Sequence, residues 1–201
     1  PGLNEFWKKK YELIIFDNNP IKENSDQWNS LFRVFAKKLI SHNSSFLIIP
    51  SHELHGPSIA NYLKIIDIEF TEFGLNDFND NNWIFLENWV EKFSMENQSS
   101  SMMISNSYPL QNPVFKKLEN MNNQEIKFAE YVEDNTPLLI LGEKQSIRYG
   151  LWNSDNIHAL KFKLLGKHNS SLVNNLLNNI FGWLMKKSGV KEYIFRSDKN
   201  I

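Results

Sequence analysis

The residue types best suited to chemistry cluster in one run, Ile49-Pro50-Ser51-His52-Glu53-Leu54-His55-Gly56. An apolar stretch precedes this run and a helical pattern follows it. Many α/β enzymes hold their nucleophile in such a place, on a tight turn after a central strand and near a helix N-terminus. Ser51 would be that nucleophile, with His52 or the later His158 as its base. The competing reading is a polar loop between strand and helix. Neighbours in sequence rarely point at one another, and the run lacks the glycines of a Gly-x-Ser-x-Gly elbow. No catalytic residue is therefore assigned, and Ser51, His52 and His158 stand as the candidates. Asp17 ends an earlier apolar run, where ligands gather at the carboxyl ends of parallel strands. Asp17 and Ser51 are thus the candidate ligand-binding residues, although an Asp there serves equally as a turn cap.

Other chemistries find less support. The 201 residues include no cysteine, which excludes disulfides, thiolate metal sites and a cysteine nucleophile. His42, His55, His158 and His168 are scattered without metal-ligand spacing. His52 and His55 are three apart but lie in a predicted loop with no third ligand, so no metal site is expected. There is no glycine-rich phosphate loop, and no cofactor is implied. With 22 Lys and Arg against 23 Asp and Glu, the chain has no basic excess to bind nucleic acid.

The elements that would position these residues read as alternating strands and helices. Residues 11–16 form an apolar strand stopped by Asp17-Asn18-Asn19-Pro20. Apolar residues recur at helical spacing over 27–42, with Ser25 or Asp26 placed to cap the first turn. Residues 46–49 form a second buried strand, and Pro57 opens a helix reaching about residue 66. Strand, helix, strand with short connections predicts a parallel pair joined by a right-handed crossover. Further on, 67–75 reads as an edge strand, 83–93 as an amphipathic helix, 94–112 as a surface excursion and 114–118 as a short helix. Strands are predicted at 126–132 and 138–141, with 147–152 returning as a hairpin whose turn Gly142 marks. The last helix, 171–187, carries an apolar stripe of Leu172, Val173, Leu176, Leu177, Ile180, Phe181 and Leu184. Residues 156–165 show no assignable pattern, and 190–196 read as an extended tail. No run reaches the roughly 18 apolar residues of a membrane span. The opening Pro-Gly-Leu-Asn suggests a piece of a longer protein.

These pieces together resemble the class I glutamine amidotransferase-like domain. The residues that carry the resemblance are Leu13-Ile-Ile-Phe-Asp-Asn-Asn-Pro20, Phe46-Leu-Ile-Ile-Pro50, Thr136-Pro-Leu-Leu-Ile-Leu-Gly-Glu143 and Arg148-Tyr-Gly-Leu-Trp152. The nearest pattern is the version inside large membrane-anchored proteins of Bacteroidetes-type bacteria, in which a long last helix leads into an immunoglobulin-like domain. Here the exit reads Tyr193-Ile-Phe-Arg196 and Ser197-Asp-Lys199. Active members carry a Cys on the elbow and a later His-x-Glu pair. This chain has Ser51 at the elbow position and Ile157-His158-Ala159-Leu160 later, so no member of that triad carries over.

The resemblance implies a three-layer flavodoxin-like α/β fold with a mainly parallel central sheet over 1–189, and an exit segment at 190–201. The expected role is a non-catalytic structural or interaction domain of a membrane-associated bacterial protein, on the extracytoplasmic side. Its expected partners are other domains of the same polypeptide, with no nucleic acid and no membrane insertion by this segment. The alternatives are a small-molecule-binding domain or a serine hydrolase using Ser51.

Overall fold

The computed structural model describes residues 8–74, 83–86, 113–120, 125–155, 157 and 170–186. In chain order these form β1 (Leu13–Asp17), α1 (Ser25–His42), β2 (Ser45–Ile49), α2 (Gly56–Leu63), β3 (Ile68–Phe73), β4 (Trp83–Phe85), β5 (Phe115–Asn120), β6 (Glu125–Tyr131), β7 (Pro137–Lys144), β8 (Ile147–Trp152) and α3 (Ser170–Leu184). The exit segment 190–201, the excursion 94–112, His158 and His168 lie outside the described residues.

Six strands make one sheet in the order β1-β2-β8-β7-β6-β4. The β1–β2 and β2–β8 pairs are parallel, while β8–β7, β7–β6 and β6–β4 are antiparallel. The sheet is therefore mixed, and the mainly parallel arrangement is realised only in its first half. The cause is the length of the connections. A helix bridges β1 and β2, which permits parallel pairing, whereas the short turns from β6 to β7 and from β7 to β8 force those strands to reverse. The turn between β7 and β8 falls at Gln145 and Ser146, both with positive φ, and not at Gly142. Gly142 sits inside β7 opposite Tyr149, and a methyl group there would overlap the Tyr149 phenol ring.

Alternation along the central strands divides the core into two. Phe46, Ile48, Ile140, Tyr149 and Leu151 face α1 and α2, where they meet Phe35, Leu39, Ile59, Tyr62 and Leu63. Leu47, Ile49, Leu139, Leu141 and Trp152 face α3, where they meet Ile180, Trp183 and Leu184. Helices thus cover both faces of an α/β sheet, and, of the stripe expected on the last helix, Leu177, Ile180, Phe181 and Leu184 pack against it. Residues buried on both sides of a strand appear in sequence as the unbroken apolar runs of β2 and β7.

Three expected elements differ. Trp83–Phe85 is a strand paired with β6 rather than the start of a helix, and 87–93 lie outside the described residues. Three consecutive β-favouring residues outweighed the helical spacing. Residues 115–120 are also a strand, β5, which pairs antiparallel with β3 in a separate two-stranded sheet. Register shifts along that ladder let Phe115 and Leu118, three apart, pack on the same cluster, which imitates a helical period. The predicted edge strand at 67–75 accordingly belongs to this small sheet. At the start of α1 neither Ser25 nor Asp26 is the cap. Asn24 takes that position, and the Ser25 hydroxyl donates to the Lys22 carbonyl.

The far end of α3 is held by Arg148. Its Nε donates to Glu143 at 3.0 Å, one terminal nitrogen donates to the Trp183 carbonyl at 2.9 Å, and the guanidinium lies 4.9 Å above the Trp183 ring. A cation at a helix C-terminus interacts favourably with the helix dipole. The Lys186 ammonium donates to the Ser146 carbonyl, which sets the end of α3 beside the β7–β8 turn.

Ile180 is fully enclosed between α3 and the sheet, so Ile180→Ala should cost about 2–5 kcal/mol in urea unfolding. Gly142→Ala should cost about 1–3 kcal/mol, because the added methyl must displace a ring already stacked on Phe46.

Candidate functional site

The carboxyl ends of β1, β2 and β8 lie on one edge of the sheet, because these three strands run parallel. The loops after them contain nearly every residue singled out from the sequence. After β1, Asn18 adopts a left-handed backbone with φ of 50°, which Asn tolerates better than most residues. Its amide donates to the Ile49 carbonyl at 2.9 Å and closes the parallel ladder. Its side chain then reaches over the end of β2. Nδ2 donates to Glu53 at 3.0 Å, and Oδ1 accepts the Ser51 hydroxyl. Ser51 Oγ in turn accepts the Glu53 amide at 3.1 Å, and the Ser51 carbonyl accepts the Leu54 amide.

This arrangement is a tie between two loops. A second tie lies beside it, where Ile21 and Leu54 form an antiparallel bridge and the His55 amide donates to the Pro20 carbonyl at 2.7 Å. Asn24 completes the lattice by accepting the Ile21 amide and donating to Asn19. His55 Nδ1 and the buried Ser58 hydroxyl are hydrogen-bonded at 2.7 Å across the first turn of α2.

The candidates therefore separate. Ser51 meets Asn18, a residue not singled out beforehand, and donates its hydroxyl hydrogen bond to the amide oxygen. His52 faces solvent, with 65% of its side chain exposed, and its Nε2 is 4.0 Å from Glu53. Among the described residues no histidine is hydrogen-bonded to Ser51, and no group of acids and histidines could hold a metal ion. Asp17 lies in register with Ile49 and shares its face of the sheet, the α3 side. Its backbone carbonyl accepts the Asn19 side-chain amide.

At the end of β8 stands the residue with the most extensive polar role, Asn153. It is wholly buried. Its Oδ1 accepts the amides of Val114 and Phe115 at 3.0 and 2.8 Å. Its Nδ2 donates to the carbonyls of Phe115 and Pro137 at 2.7 and 3.0 Å, while its own amide donates to Leu138. The Asn153 carbonyl accepts the Tyr131 hydroxyl at 2.9 Å. One side chain thereby joins the small sheet to the large one. The available signal was an Asn directly after a buried strand, but its partners are 16 to 39 residues away and no local pattern exposes them.

Neither a family model nor a curated protein matches the sequence. Among solved structures, the chain is similar to the crystal structure of a carbohydrate deacetylase, with 9% identity and a TM-score of 0.41. The likeness covers 72% of this chain and 22% of that one, so the chain spans about a fifth of the protein it matches.

Burial drives the Tyr131 phenol well above its ordinary range, with smaller opposing and assisting effects from Ser154, Asp155 and Asp134. Burial raises Tyr62 as well. The unfolded chain releases these protons near pH 10, roughly the free tyrosine value, while the folded chain retains them. The folded state then binds more protons than the unfolded one, so stability is complete below about pH 10 and falls above it. Urea unfolding should show little change between pH 8 and 9 and, above about pH 10, a loss that approaches at most about 1.4 kcal/mol per pH unit for each buried tyrosine. Tyr131→Phe should be less stable at pH 8 and show a shallower alkaline slope.

Proposed function

We propose that this chain is a non-catalytic structural or interaction domain, of the three-layer flavodoxin-like kind, within a larger membrane-associated bacterial protein. The observation that carries the reading is the fate of the Ser51 hydroxyl. A serine attacks a carbonyl only when an aligned base takes its proton and donors stabilise the oxyanion. Here the hydroxyl donates its hydrogen bond to Asn18 Oδ1, which is no base, and the oxygen accepts the Glu53 amide. Both interactions fasten the β2–α2 loop to the β1–α1 loop. The balanced charge is consistent with protein partners rather than nucleic acid.

The flavodoxin-like assignment is supported by the β1-α1-β2 unit and by helices on both faces of the sheet. The antiparallel half departs from that pattern. The reading of an extracytoplasmic, membrane-anchored parent draws on the amidotransferase-like resemblance, as do the proposed partners, other domains of the same polypeptide including an immunoglobulin-like domain after the exit segment 190–201. Among the described residues no helix is long and apolar enough to cross a membrane.

A second reading, a small-molecule site at the same edge, draws on Trp152. Its indole N–H is buried without a hydrogen-bond partner, one register step beyond the Ile48–Leu151 pair and so in the row of Ile49 and Asp17. A ligand acceptor there would satisfy it. A thermal-shift screen addresses this, since a ligand at 100 times its Kd adds about 2.7 kcal/mol.

The main reading is tested with a fluorophosphonate probe. The intact chain should remain unlabelled, and Ser51→Ala should lose about 1 kcal/mol of stability along with its loop tie. Labelling that disappears in Ser51→Ala would establish the hydrolase instead.

A further inference from the structure

We propose that the foot of the sheet beneath the end of α3 binds a phosphate-type oxyanion, held by Arg148, Lys186, Lys10 and the Ser45 hydroxyl. Ser45 opens β2, and its side chain falls on the α3 face, because Leu47 and Ile49 further along the strand pack there. It is wholly buried, yet its hydroxyl has no hydrogen-bond partner. The serine beside it shows the contrast, since the Ser44 hydroxyl donates to the Tyr11 carbonyl at 2.7 Å. Buried hydroxyls in native interiors are hydrogen-bonded in the large majority, so Ser45 calls for a partner that the described residues do not supply.

The strand register gathers cations around that hydroxyl. Phe46 lies opposite Tyr149, so one step back Ser45 lies beside Arg148, which in turn lies opposite Glu143. Arg148 uses Nε on Glu143 and one terminal nitrogen on the Trp183 carbonyl. Its other terminal nitrogen has no acceptor among the described residues, and 14% of the side chain is exposed. Lys186 donates to the Ser146 carbonyl, which leaves ammonium hydrogens to give. Burial lowers the Lys186 ammonium and Glu143 opposes that shift, while Arg148 and Lys10 add to it, so both cations lie within electrostatic reach of Lys186. Lys10 is exposed and has no ion pair among the described residues. Glu12 falls on the α1 face, with Ile14 and Phe16. Three cations therefore gather about one carboxylate, and an anion relieves their mutual repulsion.

Cations at the C-terminus of a helix complement its dipole, and the bond from Arg148 to Trp183 does so. That role leaves Lys10, the remaining Lys186 hydrogens and the Ser45 hydroxyl unexplained. Lys186 also takes a left-handed backbone with φ of 55°, a place that helix ends usually give to Gly or Asn. Its side chain, not its backbone, suits it to the position. A tetrahedral oxyanion fits this set better than a flat carboxylate. Its several oxygens accept from donors in different directions, with Ser45 on the sheet, Arg148 beside it and two lysines at the exposed rim.

Thermal unfolding of the full chain, at constant ionic strength as inorganic phosphate replaces chloride, tests the site. The expected result is a saturating rise in Tm. Lys10→Ala should weaken the apparent phosphate affinity about fivefold and Ser45→Ala about tenfold. Lys117→Ala, at an exposed position of β5, should leave it unchanged. Without phosphate, Ser45→Ala should be as stable as the parent chain, because the hydroxyl it removes has no partner. A clear loss of stability there would mean a structural role for Ser45 and overturn the assignment. A rise that is linear in phosphate, or the same in Lys10→Ala and Ser45→Ala, would be a general salting effect and overturn it as well. Flotation with phosphatidylcholine vesicles, with and without phosphatidylglycerol, separates two sources of such an anion. Binding to the anionic vesicles that phosphate competes away and Ser45→Ala weakens would assign a lipid headgroup. Phosphate binding with no vesicle binding would assign a soluble phosphate compound. Vesicle binding that neither phosphate nor Ser45→Ala changes would be attraction to surface charge alone, and the site would be overturned.

Discussion

Everything at the upper edge of this sheet depends on one requirement, that the polar groups where buried strands end must find partners inside the protein. Asn153 meets most of that requirement alone. Its side chain satisfies two amides and two carbonyls, and its backbone carbonyl holds the Tyr131 hydroxyl. A primary amide suits the position because it presents a two-acceptor oxygen and a two-donor nitrogen in one plane. Neither Asp nor Leu of similar size offers that combination. The bonds join the start of β5 to β7 and β6, so the small two-stranded sheet is attached to the large one through a hydrogen-bonded joint as well as through packing.

The same requirement governs the opposite side of the edge. Two parallel strands end side by side, and the polar groups of their loops must also be matched. Asn18 bridges them through its backbone, its amide nitrogen and its amide oxygen. Ser51 is drawn into that bridge, which links structure to function. A hydroxyl that completes a tie between loops is held in place by an acceptor, whereas a nucleophile needs a base. The residues at this edge have the types expected of an active site, and their partners among the described residues tie the β1–α1 and β2–α2 loops together.

Much of the layered core was legible beforehand. The apolar runs 46–49 and 138–141 read as buried strands, and the stripe ending at Leu184 reads as a helix with one apolar side. Strand direction was less legible in the second half, because periodicity identifies a strand without identifying its neighbour. Residues 115–118 misled for a specific reason, since register shifts in the β3–β5 ladder gave a strand the spacing of a helix. In the candidate site, position was legible and partnership was not. Ser51 does stand at the end of β2 beside the end of β1. That it would meet Asn18 follows from the left-handed turn at that residue, and an Asn-Asn-Pro run only suggests a turn without fixing where its side chains point.

The central claim is that the polar residues at the strand ends hold the fold together, and Asn153 tests it most directly. Urea unfolding of Asn153→Ala should show a loss of about 3 kcal/mol or more, since four buried backbone groups lose their partner at once. A loss below about 1 kcal/mol would mean that the joint contributes little and would contradict the account.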